Sequence, residues 1–95
     1  MFPVNVWLTV KDPNDVPTVG ELLPQIRRIS LTETACLRFE VYHSQSDPTR
    51  FLLTEHWDSE DGWKAHREQP VFTEIYRPKV LPLVDREPHV CTLLE

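Results

Sequence analysis

The chemistry this sequence can offer is concentrated between Glu55 and His66. His66 follows Trp63 by three residues, so a helix places both over one turn. An unperturbed imidazole titrates near pH ~6.5, which suits abstraction of a proton from an activated C–H or a phenol. The plainer role for His66 is a helix C-terminal histidine that complements the dipole. Glu55 stands between Leu53 and Trp57 on one strand face, an unusual setting for a carboxylate. It can orient His66, bind a substrate hydroxyl, or simply pair with Arg38 across a hairpin. Trp57, Trp63, Phe39 and Phe72 can wall a slot for a planar substrate, or form ordinary core. Asn5 interrupts an apolar strand; it can hydrogen-bond a carbonyl or a developing anion, or face a loop. Tyr76 lies on the apolar side of a helix and can turn its hydroxyl into the same cavity or out to solvent. His66 and Glu55 are thus the candidate catalytic pair, with Asn5, Phe39, Trp57, Trp63, Phe72 and Tyr76 as substrate-binding candidates.

Other chemistries are disfavoured. His43, His56 and His89 show no HxH or HxxxH spacing, so no metal is expected. Cys36 and Cys91 are too few for a disulfide scaffold or a four-cysteine zinc site, and each reads as a small strand hydrophobe. The two glycines, Gly20 and Gly62, leave no GxGxxG or phosphate-binding loop. Ten Lys and Arg against fifteen Asp and Glu give a net charge of −5, which argues against nucleic-acid or anionic-membrane partners. No run approaches the roughly 20 apolar residues of a membrane span, and the N-terminus lacks a secretory pattern. The expectation is a cytoplasmic chain whose residues 1–95 make one domain.

The elements that must position these residues follow from periodicity. Val4, Val6, Leu8 and Val10 alternate as a strand, stopped by the polar turn Lys11 to Asp15. Val16, Val19, Leu22 or Leu23, Ile26 and Ile29 trace one face of a helix. Thr18 and Glu21 have capping-box spacing, Asp15 offers an earlier cap, and Pro24 is expected to kink the helix or move its start. Cys36–His43 and Arg50–Trp57 read as a hairpin around Ser44 to Thr49. Ser59 is the expected cap of a short helix through His66 or Arg67. A second helix opens at Pro70, and its apolar stripe runs through Phe72, Ile75, Tyr76, Val80 and Leu83. Residues 86–94 complete the pattern as a strand.

That order predicts an α+β, ferredoxin-like split β-α-β protomer: a four-stranded antiparallel sheet with helices on one face. Such a sheet puts the second and fourth strands at opposite edges, so no Cys36–Cys91 disulfide is expected within a protomer. The strands carry apolar residues on both faces: Leu37, Phe39 and Val41 are expected on one side, Cys36 and Tyr42 on the other, and Leu52 opposite Phe51, Leu53 and Trp57. An uncovered apolar sheet face is unusual on a monomer, so a homodimer is expected.

The ordered series Cys36 to Tyr42, Arg50 to Trp57, Trp63-Lys64-Ala65-His66 and Val71-Phe72 resembles the antibiotic biosynthesis monooxygenase (ABM) family. The most specific block is Glu55-x-Trp57-x-Ser59 followed by Ala65-His66. Thr34-Ala35 departs from the glycine turn usual before the cysteine. The resemblance implies a dimeric α/β barrel built from ferredoxin-like protomers. It also implies a choice of activities: oxidation of aromatic polyketides or quinols by O₂ without metal or flavin, haem degradation, or isomerisation of small ketones. Haem-degrading relatives carry a histidine where Tyr76 aligns. The leading expectation is a cofactor-independent monooxygenase acting on a small electron-rich aromatic, with His66 as base. The alternatives are an isomerase of a small hydroxy-ketone using Glu55 as partner acid, and a non-catalytic dimeric ligand-binding or stress-response domain.

Overall fold

The computed structural model describes residues 1–95. The chain runs β1 (Phe2–Val10), α1 (Val16–Ser30), β2 (Cys36–His43), β3 (Arg50–Trp57), α2 (Glu60–His66), α3 (Val71–Val80) and β4 (Val84–Val90). The strands pair antiparallel in the order β2-β3-β1-β4. This is the ferredoxin-like split β-α-β arrangement, and it sets β2 and β4 at opposite edges, with Cys36 and Cys91 both free.

Alternation in β1 buries Val4, Val6, Leu8 and Val10 beneath the helices. Val6 pairs with Leu53 and Leu8 with Phe51, so β3 continues the same apolar layer. Val19, Leu23 and Ile26 of α1 and Val71, Phe72, Tyr76 and Val80 of α3 close over it. Burial of these side chains, each contributing roughly 1.5–3 kcal/mol, holds α1 through Pro24 without a break.

Several boundaries differ from the sequence expectation for local reasons. Pro13–Asp15 form a 3₁₀ turn capped by Asp12, whose carboxylate accepts from the Asn14 N–H at 3.0 Å. That turn feeds directly into α1, so Asp15 makes no side-chain cap and Thr18 already lies inside the helix. In β2 a bulge pairs Cys36 with Trp57 but Arg38 with the adjacent His56. Cys36 therefore joins Phe39 on the buried face, and Leu37 is pushed out to 58% exposure, against the expected alternation. Segment α3 winds as a π-helix, with the Leu81 N–H reaching back to the Tyr76 carbonyl, and a 3₁₀ turn at Leu81–Leu83 leads into β4. The last strand starts at Val84 and stops at Val90, not residue 94.

Candidate active site

Helix α2 delivers His66. The Ser59 hydroxyl accepts from the Gly62 N–H at 3.1 Å, and Glu60 and Asp61 occupy the first turn where the dipole favours them. Seven residues later the helix ends with its histidine turned inward, only 6% exposed. The imidazole lies on Trp57 at 4.6 Å between centroids and meets the Phe72 ring edge-on at 5.6 Å. Its Nδ1 is 2.8 and 3.0 Å from the two carboxylate oxygens of Glu33, in the loop between α1 and β2. Burial pushes the His66 pKa below its ordinary value; the Glu33 carboxylate opposes that shift and Arg67 adds to it.

Gly62 allows this approach. A Cβ at that position would stand 2.7 Å from the Ala35 Cβ and would collide with the Asp58 carboxylate. Only a residue without a side chain lets α2 settle against the loop that carries Glu33.

Glu55 is on the helix-covered face of β3, 5% exposed, and its Oε1 accepts from the Trp57 indole N–H at 3.0 Å. Burial raises its pKa to about 7, against the indole hydrogen bond and Arg86, which favour the charged form. The expected pairing with Arg38 is not made. Arg38 is on the opposite sheet face, where it approaches Glu40 at 4.0 Å. Glu55 does not orient His66 either; Glu33 occupies that position.

A cavity between the sheet and α2–α3 brings together Glu55, His66, Phe39, Trp63, Phe72 and Tyr76. Trp57 is wholly buried and packs at a tilt against His66 instead of forming the cavity's surface. Asn5 is not brought to the cavity. Its neighbours Val4 and Val6 point into the core, so alternation turns Asn5 to the other face, where its amide donates to the Cys91 Sγ at 3.3 Å. Tyr76 is 5% exposed with its hydroxyl buried beside Arg86, which excludes the solvent-facing orientation. Burial lifts the Tyr76 pKa to about 12, with Arg86 pulling it the other way.

Arg86 also lines the cavity, and its Nε is buried without a partner. Sequence reasoning missed both Arg86 and Glu33. Period-two spacing from Val84 would have placed Arg86 on the inner face; Glu33, in a polar turn, has no comparable signal. The cavity volume is about 10 Å³, room for a single water and far short of the ~300 Å³ an aromatic ligand needs. No three His, Cys, Asp or Glu side chains converge as metal ligands.

Residues 1–78 match the family described as Antibiotic biosynthesis monooxygenase. The chain belongs to the ABM family. A candidate antibiotic biosynthesis monooxygenase from Nitrosomonas europaea superposes with a TM-score of 0.90 at 24% identity over 100% of both chains. One from Deinococcus radiodurans gives 0.85 at 26% identity, covering 100% of this chain and 94% of its own. A further structure described as an antibiotic biosynthesis monooxygenase gives 0.90 at 20% identity over 100% of both chains. No curated protein matches the chain. No helix of this ABM chain is long and apolar enough to cross a membrane. ABM membership accounts for the fold and names a reaction class, while the chemistry must be argued from the side chains around His66.

Proposed function

We propose that this ABM chain is a cofactor-independent monooxygenase that oxidises a small electron-rich aromatic, of the anthrone or quinol type, with O₂. The observation that carries the reading is His66: a buried imidazole at the cavity wall whose Nδ1 is held by Glu33. Burial favours its neutral form, and a neutral imidazole donating Nδ1–H to Glu33 keeps the Nε2 lone pair for a substrate proton. Loss of that proton makes the aromatic electron-rich enough to reduce O₂ itself. One oxygen atom enters the substrate and the other leaves as water. Tyr76 and Arg86, with donors at the same cavity, suit the oxyanion that develops on the ring. Entry of such a substrate requires the cavity to open.

The test is oxygen uptake with an anthrone as probe. The reading expects consumption that depends on protein and is lost in His66→Ala. Uptake equal in both proteins would remove the assignment. Glu55 favours a second reading, because a carboxyl with a pKa of about 7 shares a cavity with a neutral base. That is the acid–base pair of a hydroxy-ketone isomerase, which would consume no O₂. The small cavity favours a non-catalytic dimeric domain, for which neither activity would be found. A second copy is proposed to cover the outer sheet face, where Trp7, Leu52 and the 49%-exposed Tyr42 lie together; sedimentation at twice the chain mass is the expected result.

A further inference from the structure

We infer that Glu33 is the positioning residue of His66: it fixes the imidazole tautomer and carries the counter-charge when the base is protonated. This rests on the proposed role of His66 as base. The geometry leaves little latitude. Both carboxylate oxygens lie within 3.0 Å of Nδ1, and an acceptor-only carboxylate at that distance requires the proton to be on Nδ1. Nε2 is then the nitrogen with a free lone pair. When it takes a substrate proton, the imidazolium that forms faces a carboxylate already in hydrogen-bond contact, so the buried charge is compensated as it appears.

Glu33 is held for this task by its backbone. Its N–H donates to the Ser30 carbonyl and its carbonyl accepts from the Cys36 N–H, each at 3.0 Å. The other titratable or charged groups around His66 are Arg67 on its own helix, Glu55 on β3, Tyr76 on α3, Arg86 on β4, and Cys36 on β2 beside Glu33. Only Glu33 reaches the ring within hydrogen-bond distance. Its far side borders an open groove of about 420 Å³ lined by Thr32, Glu33, Ala35, Gly62, Ala65 and neighbours. The carboxylate is the more exposed of the two groups, with side-chain exposures of 15% for Glu33 and 7% for His66.

The test uses the whole chain with and without substrate. In the free protein, nitrogen NMR of His66 should report the Nδ1–H tautomer. Glu33→Gln keeps an acceptor of the same shape but no charge, and it should move the His66 midpoint downward. Glu33→Ala should lose the single tautomer. With the anthrone probe, Glu33→Gln should lower kcat by roughly 10²-fold with KM unchanged. Acetate should restore part of the activity to Glu33→Ala through the groove. An unchanged midpoint and tautomer in both variants would overturn the inference, as would wild-type kcat and pH profile. If the NMR responses appear but wild-type protein turns over no anthrone, the positioning role stands and the monooxygenase reading fails.

Discussion

The Trp57 indole donates to the Glu55 carboxyl across 3.0 Å, two positions apart on the covered face of β3. A single hydrogen bond does not offset the burial of that carboxyl, so its pKa rises from 4.5 to about 7. The sign of the consequence follows directly. Folded protein holds a proton that the unfolded chain releases above 4.5, so stability is full below that value and is lost as pH rises through about 7. The loss is up to roughly 3 kcal/mol. Glu55→Gln keeps an oxygen for the indole and should flatten this slope, giving a variant that outlasts wild type in urea at pH 8 but not at pH 4.5.

His66 titrates in the opposite sense. Its pKa is depressed by burial, so the neutral form is the one the fold prefers and the one a base needs. Activity should be level through neutral pH and fall on the acid side, at a midpoint below the ordinary value of 6.5. The stability this group confers is present above 6.5 and lost as pH drops through its folded value. His66→Ala should cost about 2–4 kcal/mol, because it empties a space between Trp57 and Phe72 and leaves Glu33 unpaired. Rate should fall by ~10²–10⁴-fold. Unfolding curves and turnover measured below the shifted transition separate the two effects.

Much of this architecture is legible in the residues. Val4 to Val10 alternates as the strand it forms, the bounds Cys36–His43 and Arg50–Trp57 coincide with β2 and β3, and Ser59 caps α2. What is not legible is set by partners distant in sequence. Glu33 gains its meaning from a histidine 33 positions later. Leu93 and Leu94 read as strand, yet β1 begins at Phe2, and Cys91 N–H to the Pro3 carbonyl is the last bond made between the two segments. The bulge at Leu37 breaks an alternation that was itself correctly present at Phe39 and Val41. Asn5 lies away from the cavity because the alternation that sends Val4 and Val6 into the core turns it to the other sheet face.

Tyr76 distinguishes a chemical role from a structural one. Its hydroxyl is buried at the cavity, where Arg86 is the polar group that reaches it. Tyr76→Phe should therefore cost no more than about 1 kcal/mol, the net worth of one hydroxyl contact to Arg86. If the hydroxyl donates to the substrate oxyanion, kcat should still fall, by roughly 10²-fold. Equal stability with full activity would assign Tyr76 to the core.

The two glycines predict opposite responses to the same substitution. Both are helical and neither has a positive φ, so alanine gains helix propensity of about 1 kcal/mol at either. At Gly20 the new Cβ would meet the Phe51 ring at 3.7 Å, an ordinary contact, and Gly20→Ala should stabilise the chain. At Gly62 it would lie 2.7 Å from the Ala35 Cβ, a short backbone-anchored group that cannot swing aside, and it would also strike the Asp58 carboxylate. Overpacking of this kind costs about 1–3 kcal/mol, more than propensity returns. Gly62→Ala should lower the melting temperature and, by driving α2 from the Glu33 loop, weaken the His66 Nδ1–H signal. Gly20→Ala should leave that signal intact. A Gly62→Ala protein as stable as Gly20→Ala would mean that α2 can shift without loss, and that the approach of the two segments is not what places His66 against Glu33.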